Sequence, residues 1–225
     1  MKIDATVGHT SVRADGTITS LLKFSAMDMR LALSGDSLEE LFPLLGIAFP
    51  ATRAYATEGH LLHSGNTWRY EKFSGRIGDS DIAGALQVDT GGKRPAMKAD
   101  LVSKLLDVAD LGPLIGARPG SVQAAKQSAQ ARVLPDLPFN TGRWSSVDAE
   151  VTLKAATIRR AGELPLENLA THLSLRDSVL KLEPLDFGVA GGHLNAVISL
   201  DGRKDPIQAR ARVRARKILI AKLFP

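Results

Sequence analysis

Three stretches carry residue types that could do chemistry. Gly78-Asp79-Ser80-Asp81 sets a hydroxyl between two acids. A serine nucleophile needs a base for its proton and a sharp turn that exposes its oxygen. Ser80 lacks the G-x-S-x-G spacing and leads into an alternating stretch, so Asp79 and Ser80 fit a turn that bonds its own backbone. His60-Leu61-Leu62-His63 places two imidazoles three residues apart, a spacing that could hold a metal on a helix. Here the pair follows Gly59 and precedes a turn, with no third ligand in sequence reach. Arg210, Arg212, Arg214 and Arg216 alternate with Ala209, Ala211, Val213 and Ala215. A period of two puts all four guanidinium groups on one face of a strand. Such a row fits a solvated face paired with acids on a neighbour, a protected sheet edge, or a contact with anionic phospholipid headgroups. Nucleic-acid phosphate fits least, because no aromatic residues for base stacking are interleaved. There is no P-loop and no G-x-G-x-x-G, so no cofactor, metal or catalytic residue is assigned.

The elements that must position these residues are built from small and aliphatic side chains. The chain has 225 residues, 44% hydrophobic but only 5% aromatic, so a core must come from Leu, Val, Ile and Ala. It has no cysteine, which excludes disulfide and thiolate chemistry. Met1 to Gly8 has no apolar run of the kind a signal peptide needs. No window approaches 18 consecutive apolar residues, the length of a helical membrane span. The charge is local. Arg203 to Lys217 holds seven basic residues against Asp205 alone, a net of +6, whereas the whole chain carries +5. A nucleic-acid binder usually spreads its basic residues over a face.

Period-two alternation predicts a mainly β protein. Met27 to Leu33, Ile82 to Val88, Met97 to Ser103, Val147 to Lys154, Leu169 to Leu175 and Leu194 to Leu200 read as half-buried strands. Asp15-Gly16 has the composition of a hairpin turn. Ser37-Leu38-Glu39-Glu40 has the composition of a capping box for a short helix, and Leu105 to Leu111 reads as a second short helix. Arg118 to Gln130 is small and polar, with almost no large apolar residue. The expected organisation is a β-rich repeat module over 1–117, a linker over 118–142 and a second β-rich module over 143–225.

An internal repeat supports two modules. Phe73, Ile77, Ile82, Leu86, Val88 and Asp89 fall on Leu185, Val189, Leu194, Ile198, Leu200 and Asp201 at a constant offset. His193 falls on Asp81. Leu-X-Pro signals at Pro43, Pro113 and Pro225 close short helices at the repeat ends, and the last unit stops where the first two continue. The chain therefore reads as a segment of something longer.

Several stretches, in order, resemble the periplasmic part of AsmA-family proteins of Gram-negative bacteria: TWRYEKFSGRIGDSDIAGALQVD, KRPAMKADLVSKLLDVADLGPLIG, RVLPDLPF, LPLENLATHLSLRDSVLKLEPLDFGVAGGHLNAVISLD and ARVRARKILIAKLFP. The resemblance implies an extended, curled antiparallel sheet forming a groove with an apolar inner face. It implies a role in outer-membrane biogenesis, a periplasmic location behind an inner-membrane anchor that this chain lacks, and no enzymatic activity. Its implied ligand is phospholipid, moving between inner and outer membrane. Acyl chains are then expected along the face carrying Ile82, Leu86, Val88, Leu194, Ile198 and Leu200, with Arg210, Arg212, Arg214 and Arg216 as the anionic-headgroup contact. The alternative is an assembly scaffold for outer-membrane proteins that binds envelope partners through its sheet edges. No nucleic-acid partner is expected.

Overall fold

A computed structural model describes residues 1–19, 26–41, 52–111, 144–159, 166–204, 206–219 and 221. The expected linker over 118–142 and all three Leu-X-Pro signals lie outside these residues.

The described residues form one sheet of twelve strands in simple chain order. They are β1 (Lys2–Val7), β2 (Thr10–Thr19), β3 (Ala26–Gly35), β4 (Tyr55–Ser64), β5 (Thr67–Ile77), β6 (Ser80–Asp89), β7 (Ala96–Asp107), β8 (Asp148–Arg159), β9 (Leu166–Arg176), β10 (Val179–Val189), β11 (Gly192–Asp201) and β12 (Gln208–Arg216). Neighbours pair antiparallel with one exception. β7 and β8 run parallel, from Ala96 opposite Asp148 to Asp107 opposite Arg159. This ladder joins the two halves of the chain into a single sheet. Arg94 bridges Asp148 and Asp177 at one end of the junction, and Arg159 bridges Asp107 and Asp79 at the other.

Tight turns connect half of the ten antiparallel pairs. Two-residue loops fall at Gly8-His9, Gly65-Asn66, Gly78-Asp79, Asp177-Ser178 and Ala190-Gly191. Such turns need positive φ to match the strand twist, and both residues of the last two have it.

The expected mainly β fold is the fold observed, and most expected strands are present. Local punctuation was less reliable. Asp15-Gly16 is no hairpin turn but lies inside β2, paired with Arg30 and Met29. Gly16 is needed there because the β3 backbone passes so close that a Cβ would sit 2.2 Å from the Asp28 carbonyl oxygen. The predicted helix at Leu105 is mostly strand, since β7 runs to Asp107 and only Val108–Leu111 is helical. The capping box is half formed over a 3-10 turn at Leu38–Leu41, since Ser37 Oγ accepts from the Glu39 amide at 3.4 Å while Glu40 pairs with His9, and a reciprocal clasp completes it. Ser37 Oγ accepts from the Thr52 amide, and Thr52 Oγ accepts from the Leu38 amide, each at 2.9 Å.

The two faces differ sharply, and no second sheet covers the apolar one among the described residues. Met29, Val88 and Ala196 are nonetheless each 2% exposed, while strands pack extensively only against their sheet neighbours. A flat sheet would leave such side chains open. Side chains packed across adjacent strands bury them, and residues outside the strands add cover, Trp144 clustering with Ala149, Leu175 and Leu180, and Leu41 with Tyr55 and Ile77. The internal repeat is visible as geometry. The β5–β6 register shifts between Tyr70 and Phe73, and the β10–β11 register shifts at the corresponding Leu182 and Leu185.

At the first of these bulges Phe73 stacks on Tyr70, ring centroids 5.1 Å apart, and lies opposite Gly84. Gly84 has φ of 148°, and a Cβ there would meet the Asp100 carbonyl oxygen at 1.9 Å. Gly84→Ala should lower unfolding stability by about 1–3 kcal/mol, read as a lower urea midpoint. An unchanged midpoint would show that β6 and β7 can separate there at no cost.

Candidate functional site

The apolar face is built row by row from the strand register. Leu86 of β6 lies opposite Ala99, Ala99 opposite Val151, Val151 opposite Leu173, Leu173 opposite Leu182, and Leu182 opposite Ile198 of β11. A second row runs from Val88 through Met97, Ala149, Leu175 and Leu180 to Leu200. Leu86 and Ile198 are thus the two ends of one unbroken row, and Val88 and Leu200 the two ends of the other. Five strand spacings separate them, about 24 Å, which exceeds one acyl chain, about half of a hydrocarbon core of roughly 30 Å. Ile82, Leu86, Leu194, Ile198 and Leu200 are half-buried, whereas Val88 is 2% exposed and serves as packing.

The arginine row lies on the other face. Arg210 is opposite Ser199, Ser199 opposite Lys181, Lys181 opposite Ser174, and Ser174 opposite Glu150. A single lipid lying on the apolar face therefore does not reach it. Among the described residues no carboxylate pairs with Arg210, Arg212, Arg214 or Arg216. The nearby acid Asp186 accepts from the Asn195 amide at 2.6 Å and lies 3.5 Å from His193. At the β9–β12 end of this face a cavity of about 590 Å³ is lined by Lys181, Lys204 and Arg210 among others. Its Asp201 is held by both guanidinium nitrogens of Arg203 at 2.8 and 2.7 Å, which lowers its pKa to about 2.

The hydroxyl and imidazole candidates resolve into structural roles. Ser80 is 3% exposed. Its Oγ donates to Asp110 at 2.7 Å and accepts from the Asp107 amide at 2.9 Å. Asp110, also buried, accepts from the amides of Asp79 and Ser80 and from Arg53 as well. Asp110 and not Asp79 is thus the residue that ties the turn. Sequence reading missed it because it lies 30 residues from Ser80, in a stretch read only as a short helix. Asp81 plays a matching role. It accepts from the amides of Lys104 and Leu105 and from Ser103 Oγ. Burial alone would raise its pKa, but these donors outweigh it and the net shift is downward.

His60 and His63 point to opposite faces, since residues three apart in β4 differ in parity. His60 pairs with Asp28, and His63 stacks on Trp68 with ring centroids 3.9 Å apart. Neither can share a metal with the other. His9, Asp36 and Glu40 bring ligand atoms within 4.8 Å of one another, but His9 and Asp36 are largely exposed and the group is an ordinary surface ion cluster.

The AsmA family profile matches residues 4–225. The chain belongs to the AsmA family. It is 39% identical over 241 aligned residues to the AsmA family protein YhjG of Escherichia coli (strain K12), covering 100% of this chain and 35% of that protein. The chain therefore spans about a third of that relative's length. No solved structure matches. No described helix is long and apolar enough to cross a membrane.

Three outcomes follow from the bonds made by Asp110, Ser80 and Asp81. Asp110→Ala strands two backbone amides and the Ser80 hydroxyl, and should cost about 1–3 kcal/mol in chemical denaturation. Ser80 should stay unlabelled by a fluorophosphonate, and labelling would return it to the catalytic candidates. The stability that Asp81 adds is full above its unfolded value of 3.8 and is lost as pH falls through its lower folded value. The gap between wild type and Asp81→Asn should thus be constant at neutral pH and close only below about pH 4. A gap that closed between pH 6 and 7 would contradict this.

Proposed function

We propose that this chain is a non-enzymatic module of envelope biogenesis that holds phospholipid along its apolar face, as part of a route between inner and outer membrane. The supporting observation is the pair of unbroken apolar rows from β6 to β11, with no second sheet laid over them among the described residues. A sandwich closes such a face against a partner sheet; a curled single sheet leaves a trough into which acyl chains fit. The wall is aliphatic and nearly free of directional groups, so it selects chain-like apolar ligands without reading their headgroups. Membership of the AsmA family agrees with this role. A bridge across the periplasm would be a property of a longer protein.

Native mass spectrometry of the purified chain, followed by lipid extraction, tests the reading. Wild type should carry phospholipid at a defined stoichiometry. Leu86→Asp and Ile198→Asp put a carboxylate at the β6 and β11 ends of one row, and bound lipid should fall roughly tenfold or more while circular dichroism stays that of a β protein. A lipid-free wild type, or variants that keep their lipid, would sink the proposal. If Ile198→Asp unfolds, Leu86→Asp carries the comparison.

A further inference from the structure

The repeat makes β12 the counterpart of β7, and β7 is not an edge. At the offset of 112 that relates Tyr70 to Leu182 at the bulges, Lys98 maps to Arg210, Asp100 to Arg212, Val102 to Arg214 and Lys104 to Arg216. Met97, Ala99, Leu101 and Ser103 map to Ala209, Ala211, Val213 and Ala215. The outer side of β7 is covered by the parallel strand β8. The outer side of β12 carries no strand among the described residues, and every residue of β12 is exposed. Val213 is 56% exposed, whereas its counterpart Leu101 is half-buried beside Leu153 of β8.

We propose that this edge is a docking site for a strand that runs parallel to β12, in the register β8 takes on β7, and carries carboxylates at alternate positions. Three observations fix the chemistry. Among the described residues the four guanidinium groups have no carboxylate partner, so the occupant must bring acids on that face. The template already does so at one position, where Glu150 of β8 lies opposite Lys98 of β7, the counterpart of Arg210. On the other face three alanines and Val213 leave space, so the residues between the acids must be apolar and larger. A second copy paired edge to edge through β12 would set eight guanidinium groups along one seam, which charge repulsion disfavours. An anionic membrane surface could attract the arginines but cannot complete a backbone ladder. The inference stands on edge geometry and is independent of the lipid reading.

A fluorescent ten-residue peptide of alternating Glu and Val, titrated into the 225-residue chain by anisotropy, tests it. It should bind roughly tenfold or more tightly than its Lys-Val analogue. Arg212→Glu with Arg214→Glu should reverse the preference without altering circular dichroism, since both side chains are exposed. N-methylation of the peptide on its bonding edge should abolish binding. A photo-crosslinker at the peptide N-terminus should mark residues near Gln208. Equal binding of the methylated peptide would reduce the contact to charge attraction and overturn the proposal. So would crosslinks near Arg216, which mean an antiparallel strand, or failure of the acidic peptide to bind. So too would arginine-dependent binding to phosphatidylglycerol vesicles in place of peptide, or self-association through β12.

Discussion

Parity is the constraint on which the structure depends. In a strand, successive side chains point to opposite faces, so a slip of one residue in any ladder would exchange the faces of every strand beyond it. Eight ladders in series must all keep step for Met29 of β3 and Ala196 of β11 to share one side. The sequence itself breaks step more than once, and β5 and β10 show how a break is absorbed. In β5 the apolar face takes Trp68 and Tyr70, then Phe73, Gly75 and Ile77; in β10 it takes Leu180 and Leu182, then Leu185 and Phe187. Each break is absorbed by a bulge that adds one residue on that strand alone. Lys72, within the first bulge, adopts φ of 50°. The bulges are therefore what keeps the apolar rows continuous.

That argument also explains how much could be read in advance. Alternation identified β3, β6, β7, β8, β9 and β11 because one face of each is covered and the other is wet. The repeat was legible because the same parity break occurs in both copies. Asp15-Gly16 misled because a dipeptide reports only local turn chemistry, while Gly16 answers to the backbone of β3 passing over it. The parallel junction of β7 and β8 left no local mark. It is specified by partners far apart in sequence, Arg94 with Asp148 and Arg159 with Asp107, and by rows that match only once both halves are laid side by side.

The chemical candidates follow the same logic. His60 and His63 looked like a pair because three residues make one helical turn; on a strand the same spacing separates them. Ser80 looked exposed because it sits in a turn, yet the buried Asp110 draws that turn inward and occupies its hydroxyl. A serine whose oxygen both donates to a buried carboxylate and accepts a backbone amide has spent its capacity on structure. What the ladders add is a continuous apolar wall from β6 to β11, which alternation alone marks only as separate strand faces. The arginine row was legible as a face, but its position opposite the apolar residues required the ladder from β8 to β12.

The charge on β12 then acquires a reason that a lipid trough alone does not supply. A nine-residue strand with no neighbour on one side among the described residues is an aggregation hazard, and a row of like charges is one way to blunt it. Uncharged polar residues or a proline would serve that end as well, without concentrating nearly the whole positive excess of the chain in one strand. Alternating arginines do something more selective. They repel another copy of the same edge, leave the backbone bonding groups free, and lower the energy only for a strand that arrives with acids on one side and bulk on the other. The same residues that prevent indiscriminate pairing thus define the permitted partner, and β8 on β7 shows that the sheet already accepts a parallel strand at the equivalent place.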